Sequence, residues 1–305
     1  MIKPVAITPA MITDTDIPEP ELPDYPEWNV STPYVINGTV SIAAEGRRYR
    51  CVIANTGDSP PANLTNNASG NESWTDIGAT NLMAPFDEII GNQSVGSGSV
   101  FWEITTGTRY NSLSVQNIDA TEVTVTATTV TGGVDYDYSK TVNTGGYRGG
   151  GWANFFRSGE RRPVRNIEFT GLPKFDDTIL TITFTGYSGV GLIVPGNEFL
   201  IGQTHAGVRP RIKSFSVKKF DTNFGYPILV PRLPAVRLSV SVQIDTSRQD
   251  LVFNTLKEFE SKSAVWVFGV YSIATTYGWL DDYTPILAAK PVISSPAQIK
   301  IKGFQ

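Results

Sequence analysis

The chain has 305 residues, which is enough for one large or two to three small domains with a buried core, and only 18% of the residues are charged. A net charge of −4 provides no overall basic field, which argues against nucleic acid as a partner. Cys51 is the single cysteine, so neither an intramolecular disulfide nor a cysteine-based zinc site can form. No stretch of about 18 apolar residues occurs, so no membrane-inserted helix is expected.

Residues 1 to 32 contain many prolines and are expected to form an extended arm, because proline removes backbone donors and favours extended conformations before it. Tyr25 and Trp28 are the candidate anchors of this arm on a neighbouring surface, and the alternative is a disordered tail. The arm has no apolar run of signal-peptide length. The protein is therefore expected to be made and kept in the cytosol, or to leave it by a route other than secretion.

Residues 33 to 91 predict a small module of three short β-strands. The stretch "YVINGTVSI" predicts a hairpin with its turn at Asn37-Gly38, a pair that tolerates positive φ. The polar residues 55 to 73 predict a long loop. The stretch "RRYRCVIA" alternates between polar and apolar positions, which places three residues on one face, namely Tyr49, Cys51 and Ile53.

Residues 92 to 205 predict a β-sandwich of the jelly-roll type. In "ATEVTVTATTV" and "DTILTITFTG", apolar residues alternate with threonine. An alternation of period two with threonines on the other face is typical of half-buried antiparallel strands.

Residues 206 to 305 predict a β-rich domain with one helix, which completes a mainly β fold class; the resemblance described below implies that this domain forms a ring. The strand "AVRLSVSVQI" is followed by a helix at about 246–261 and then by the buried strand "AVWVFGVYS", so that a strand–helix–strand unit forms. Thr246 is the expected helix cap, with Gln249 three residues later as in a capping box. Three residues form the apolar stripe of the helix, namely Val252, Leu256 and Phe259.

The chain offers little catalytic chemistry. His205 is the one histidine, and no Gly-x-Ser-x-Gly elbow precedes a helix. The acidic pairs at 176–177 and 281–282 consist of adjacent residues, which point to opposite faces of a strand and cannot converge on one glycosidic bond. The stretch "TGGYRGGGW" lacks the Lys-Ser/Thr of a phosphate loop. The sequence therefore assigns no catalytic residue, no cofactor and no metal ligand.

Aromatic residues provide the candidate binding surface instead, because the apolar C–H face of a sugar ring stacks on a flat aromatic ring. The candidate sugar-binding residues are Tyr34, Tyr49, Trp74, Tyr147 and Trp152. A small module without disulfides needs aromatic residues for its own core, so Tyr49 and Trp74 are expected to be mainly core. The candidate interface residues, by contrast, combine the aromatic residues of the arm with an arginine cluster, namely Tyr25, Trp28, Arg157, Arg161, Arg162 and Arg165.

The stretch from Tyr34 to Gly78 resembles a small chitin-binding type of carbohydrate-binding module. The family pattern is an aromatic residue, a Gly-x-x-Val strand, a Gly followed by a Tyr, an Asn-rich loop with Pro, and a Trp. Ile42 stands where the family commonly has an aromatic residue, and Trp74 lacks a second Trp beside it, so the resemblance implies the fold more than the sugar site. The matching residues are Tyr34, Gly38, Val40, Gly46, Tyr49, Asn55, Pro60 and Trp74.

The continuation "IGATNLMAPFDEIIGNQS" resembles the junction that follows such modules in tail proteins of long-tailed bacteriophages, with Leu82 in place of the usual Arg. The stretch from Asp221 to Gly269 also resembles those proteins, with a Pro-Arg before the long strand and a capped helix after it. The residues that match the junction pattern are Thr80, Asn81, Phe86 and Asp87.

This resemblance implies a non-enzymatic structural protein of a phage tail tip or baseplate. It implies a homo-oligomeric ring that contacts neighbouring tail proteins, outward-facing modules that could adsorb to host-surface polysaccharide, and assembly in the host cytoplasm. Two alternatives are a stand-alone, lectin-like glycan-binding protein and a polysaccharide-degrading enzyme that uses Asp135 and Asp137.

Overall fold

Antiparallel strands account for most of the computed structural model, and the mainly β fold class predicted from the sequence is confirmed. The structure describes residues 1–19, 25–64, 72–144, 164–220, 227–232, 234–269, 274–286 and 293–304. The chain divides into two compact units, which differ from the predicted domains: the first comprises Met1–Val5, Asn111–Ser114 and Val194–Gln305, and the second comprises Ala6–Tyr110 and Val115–Ile193.

The strands are short in the N-terminal third of the chain and longer after it. The first ten are β1 (Ile2–Pro4), β2 (Ile12–Thr15), β3 (Pro33–Tyr34), β4 (Thr39–Ile42), β5 (Arg47–Cys51), β6 (Asn55–Thr56), β7 (Trp74–Ala79), β8 (Ser94–Thr105), β9 (Ser112–Asp119) and β10 (Glu122–Thr128). The others are β11 (Tyr138–Asn143), β12 (Asn166–Thr170), β13 (Ile179–Glu198), β14 (Gln203–Lys213), β15 (Val217–Phe220), β16 (Pro227–Val230), β17 (Ala235–Asp245), β18 (Ala264–Val267), β19 (Thr275–Pro285) and β20 (Ser294–Gly303).

The second unit is built on strands paired in the order β2–β8–β13–β10–β11, with β9 paired to β12. The period-two predictions for β10 and β13 are confirmed, because their alternate apolar residues are fully buried. Trp102, Phe184 and Tyr187 add an aromatic cluster to this core, with ring centroids 5.5 to 6.1 Å apart. The buried residues of the two predicted strands are Val123, Val125, Ala127, Leu180, Ile182 and Phe184.

The small module within the second unit has three antiparallel strands in the order β4–β5–β7. The predicted turn at Asn37-Gly38 is present, since Asn37 has φ 69° and the Gly38 N–H donates to the Val35 carbonyl. The predicted hairpin is wrong, because β3 pairs with β6 whereas β4 pairs with β5. The strand that contains Tyr49 and Cys51 ends at Cys51, so Ile53 is exposed instead of sharing their buried face.

The described residues of the N-terminal arm are paired with their own chain. In the first unit, β1 pairs with β13 and β18, and in the second unit, β2 pairs with β8. Residues 25 to 28 run parallel to β4, where the Trp28 N–H donates to the Ser41 carbonyl and the Ser41 N–H donates to the Pro26 carbonyl. These parts of the arm are therefore ordered by pairing with their own chain.

The first unit contains strands in the order β1–β18–β19–β20–β17–β14 and the helix α1 (Gln249–Glu258). The predicted helix stripe of Val252, Leu256 and Phe259 is confirmed, because these residues share one core with β17, β18 and β20. The strand–helix–strand unit is also present, although β19 and β20 lie between β17 and β18 in the sheet. Within the described residues, no helix has the length and apolar character needed to span a membrane.

The cap of this helical segment differs from the prediction. The Asp245 carboxylate, and not Thr246, accepts a hydrogen bond from the Ser247 backbone N–H at 2.8 Å. A 3₁₀ turn, Thr246–Arg248, then precedes α1. The predicted capping residue was therefore one position too late, because the strand ends at Asp245 and the first turn begins directly after it.

Candidate functional site

The module aromatics predicted to bind sugar form a core instead of a surface. Trp74 is 0% exposed and Tyr49 is 3% exposed. The Tyr34 ring meets Trp74 edge-on, with centroids 5.1 Å apart. The Trp74 indole Nε1 donates to the Asp58 carbonyl at 2.9 Å. The Trp74 ring is therefore buried within the module, and its N–H has a hydrogen-bond partner there.

This arrangement confirms the expectation that Tyr49 and Trp74 are core residues, and it removes them from the candidate sugar-binding residues, since neither ring offers an open face on which a sugar could stack. Tyr34 is half-buried, and its hydroxyl already accepts a hydrogen bond from the Asn29 N–H at 2.7 Å. Tyr147 and Trp152, the other two predicted sugar-binding residues, lie outside the described residues.

Some of the predicted interface residues contact their own chain, and others lie outside the described residues. The Tyr25 ring lies 5.1 Å from the Arg48 guanidinium, and Trp28 packs on the module core, so both aromatic residues contact their own chain. Arg165 is exposed, and its guanidinium donates to the Asn117 side-chain oxygen at 3.4 Å. The other three arginines of the cluster lie outside the described residues, namely Arg157, Arg161 and Arg162.

The junction motif after the module has a structural role centred on Asn81. Its side-chain amide nitrogen donates to the Pro18 carbonyl at 2.6 Å and to the Val95 carbonyl at 2.8 Å, and its oxygen accepts from the Val95 N–H at 2.7 Å. Asp87 closes the following turn by accepting from the Ile89 N–H at 2.8 Å. Asn81, which is 7% exposed, thus joins the arm, the module and β8 through hydrogen bonds.

A basic sheet face, which the sequence analysis did not identify, lies on the first unit. Positions 209, 211 and 213 alternate along β14 and so point to one side of the sheet. Arg211 lies opposite Arg237 on β17, and Arg237 lies opposite Lys302 on β20, so three cations form one row across the sheet. The residues of the basic sheet face are Arg209, Arg211, Lys213, Arg237, Lys300 and Lys302.

The basic sheet face carries more positive charge than its neighbours neutralise. Lys300 is paired with Asp282 at 2.7 Å, and this hydrogen bond raises the pKa of Lys300. The Arg237 Nε is screened from solvent and has no hydrogen-bond partner among the described residues. Like charges directly opposite each other destabilise a sheet, so this row is more stable when an anionic partner covers it.

An acidic surface lies on the second unit. Asp14 on β2 lies directly opposite Glu103 on β8, and Asp16 follows β2 with its carboxylate accepting from the Phe101 N–H at 2.6 Å. Asp14 and Asp16 are exposed. No Lys or Arg occurs between Lys3 and Arg47, whereas acidic residues recur throughout that stretch. Asp14, Asp16 and Glu103 define the acidic surface.

An open cleft of about 450 Å³ lies in the second unit, where the start of β11 meets the loop after β12. Tyr136 is 57% exposed, and its ring meets the Phe175 ring edge-on, with centroids 5.3 Å apart. Acidic, basic and aromatic side chains from residues 135–138 and from the loop after β12 line this cleft, namely Asp135, Tyr136, Asp137, Tyr138, Lys174 and Phe175.

Hydrogen bonds from two neighbouring threonines fix the turn beside this cleft. The Asp177 carboxylate accepts from the Thr129 hydroxyl, the Thr131 hydroxyl and the Thr131 N–H, each at 2.7 Å. These bonds, led by the one from Thr129, lower the pKa of Asp177 to about 2.

This low pKa predicts an acid-sensitive contribution to stability. Because the folded-state pKa of Asp177 lies below its ordinary value of 3.8, the ionised carboxylate stabilises the fold above about pH 4. That contribution is lost as the pH falls from about 4 through about 2. We expect the difference in unfolding free energy between wild type and Asp177→Asn, measured by urea unfolding, to stay constant from about pH 7 to about pH 5 and to shrink towards zero near pH 2. A difference that does not vary with pH would contradict this role.

No protein-family model, curated protein or solved structure matches the chain. In the part of the chain that the structure describes, no group of three or more His, Cys, Asp or Glu side chains is placed to hold a metal ion. The side chain of His205, the one histidine, lies outside the described residues. The two charged surfaces and the cleft are therefore the features on which a function can be argued.

Proposed function

We propose that this chain is a non-enzymatic structural protein of a phage tail tip or baseplate, which assembles as a homo-oligomeric ring, contacts other tail proteins and contributes to adsorption on host-surface glycan. The junction and the C-terminal segment resemble tail proteins, as described above. The observation that carries the proposal is the segregation of opposite charges into an acidic surface and a basic sheet face on one chain.

Surfaces of opposite sign on one chain support contacts between copies. Complementary potentials steer association, fix register and suppress wrong partners. The acidic surface and the basic sheet face involve different strands, so a contact between them is head-to-tail. Head-to-tail contacts form a ring when the rotation closes.

Relief of like-charge repulsion supports the same contact. Arg211, Arg237 and Lys302 form an unfavourable row in an isolated chain, and Asp14 opposite Glu103 is unfavourable for the same reason. A neighbouring copy that brings carboxylates to the basic sheet face reduces both repulsions at once. A second copy is therefore a better fit to this face than a neutral partner.

We expect the protein to form a closed oligomer at low salt and to dissociate in about 1 M NaCl, where the Debye length is about 3 Å. The double variant Arg209→Glu/Arg211→Glu should remain monomeric, because its basic sheet face then carries added negative charge. The double variant Asp14→Lys/Asp16→Lys should also remain monomeric. An equimolar mixture of the two variants should restore association in alternating order, because each reversed surface then meets a complementary one; the alternation closes a ring when the number of copies is even. Native mass spectrometry and light scattering measure these states.

A matched control reverses two cations outside the basic sheet face. Lys140→Glu/Lys262→Glu changes the net charge by the same amount and should assemble as wild type does. If the surface-reversed variants assemble as well as this control, the head-to-tail contact is wrong. If wild type stays monomeric and fails to join a tail when it is expressed with its neighbouring genes and imaged by electron cryo-microscopy, the structural role is wrong.

A further inference from the structure

The cleft between residues 135–138 and 171–175 combines one exposed aromatic face with several polar groups. Tyr136 is 57% exposed, and the Phe175 ring meets its ring edge-on. The carboxylates of Asp135 and Asp137 lie on the same short segment, and Lys174 lies on the facing loop. Within one cleft the chain thus offers an apolar stacking plane, two acceptors and one cationic donor.

Tyr138 adds an unsatisfied polar group to the lining. Its hydroxyl is screened from solvent and has no hydrogen-bond partner among the described residues, and burial raises the pKa of this group. A buried hydroxyl without a partner costs about 1–3 kcal/mol. Because the hydroxyl is screened from solvent, a ligand in the open cleft does not reach it, and the ligand contacts rest on the other lining groups.

The two segments of the cleft are held in place before any ligand arrives. The Thr178 hydroxyl donates to the Phe175 carbonyl at 2.9 Å, and Asp177 fixes the turn at residues 129–131. A Cβ atom at Gly132 would lie 2.7 Å from the Phe175 ring, so glycine is needed for the ring to occupy its place. A preformed cleft loses less conformational entropy on binding than a mobile one.

We infer that this cleft binds a neutral or amino sugar, with the pyranose C–H face on the Tyr136 ring and its hydroxyl groups on Asp135, Asp137 and Lys174. The ligand is one unit of a polysaccharide, because the cleft is open and its volume suits one or two rings. This inference rests on the glycan-adsorption part of the proposed function and is independent of ring assembly. It places sugar recognition on the second unit's loops and away from the core of the module.

The charges of the lining favour a sugar over other planar or apolar ligands. A nucleotide base would also stack on Tyr136, but two carboxylates against one lysine would repel its phosphate. A wholly apolar ligand would leave both carboxylates without partners. A hydroxyl-rich ring with one apolar face satisfies both the aromatic plane and the acceptors.

The test is isothermal titration of the full chain with maltohexaose, cellohexaose and chitohexaose, in about 1 M NaCl so that the oligomeric state does not affect the result. We expect at least one of these probes to bind. Tyr136→Ala should weaken that binding by at least about tenfold, because the stacking plane is lost. Tyr136→Phe should retain the affinity within about threefold, and Asp137→Asn should weaken it, since a charged acceptor is replaced by a neutral amide.

The matched control is Phe253→Ala, which removes an exposed aromatic ring of the first unit and should leave the affinity unchanged. Circular dichroism spectra that match wild type establish that each variant is folded. Failure of all three probes to bind at millimolar concentration, or binding that Tyr136→Ala leaves intact, would overturn the inference. Release of reducing sugar that stops in Asp135→Asn would keep the sugar site but overturn the non-enzymatic part of the proposed function, because the cleft would then be a hydrolytic site. If the protein still assembles as a ring at low salt, the structural role stands whichever of these results is obtained.

Discussion

Replacement of Trp74 by alanine is expected to unfold the small module. Trp74 is fully buried among Val40, Tyr49 and Cys51, and its removal takes away the largest side chain of that core together with the hydrogen bond to Asp58. The substitution should cost about 3–5 kcal/mol, which is most of the stability that so small a module can have. The module population that is open at equilibrium should therefore rise by a factor of about 100 or more.

The thiol of Cys51 gives a direct readout of this opening. Cys51 is the single cysteine of the chain, is 0% exposed, and has a pKa raised by burial, so it reacts with a thiol reagent only when the module opens. We expect Trp74→Ala to increase the labelling rate by about the same factor as the open population. Val35→Ala is the control, because Val35 is 70% exposed and its truncation should change stability by less than about 0.5 kcal/mol. Equal labelling rates in the two variants would show that Trp74 does not hold the module together.

Replacement of Trp266 by alanine should have a comparable effect on the first unit. Trp266 is fully buried, its indole Nε1 donates to the Gly278 carbonyl at 2.9 Å, and its ring stacks with Phe268 at a centroid distance of 6.4 Å. The loss should be about 3–5 kcal/mol, because a cavity forms and the Gly278 carbonyl is left without its partner. Since whole domains are stable by only about 5–15 kcal/mol, this unit should lose a large part of its stability.

Hydrogen exchange of the amides in β17 to β20 measures that loss within the first unit itself. Trp266→Phe should be affected less than Trp266→Ala, because it keeps most of the ring volume and loses only the indole hydrogen bond. Leu251→Ala is the control on α1, since Leu251 is 54% exposed and its truncation should change little. Unchanged exchange protection in Trp266→Ala would contradict a central role for this side chain.

Local patterns in the sequence were sufficient to predict the elements that have one buried face. The alternation in β10, β13 and β17 and the stripe on α1 follow directly from period two and from the helical repeat, which depend only on neighbouring residues. The pairing partners were not predictable in the same way. The turn at Asn37-Gly38 is visible locally, but the partners of β3 and β4 come from positions that the turn does not specify.

The candidate sites depended even more on contacts that are distant in sequence. Tyr136 and Phe175 are 39 residues apart, and no local pattern brings their rings together. The cross-sheet row of Arg211, Arg237 and Lys302 likewise requires the strand register. The charge clusters, by contrast, are visible in the sequence. Positive charges cluster between Arg209 and Arg237, and negative charges cluster between Asp14 and Glu27. Both clusters are found when charge is counted in windows instead of over the whole chain.

The acidic residues on and beside β2 also oppose edge-to-edge pairing between copies of this chain. Within the described residues β2 pairs with β8 and with no other strand, and a strand paired on one side only is where strands of two copies can meet. Two copies that met through this edge would bring Asp14 and Asp16 of one against those of the other, and the repulsion would oppose open-ended stacking. In the proposed ring, the carboxylates that attract the basic sheet face would therefore also act as gatekeepers against fibres.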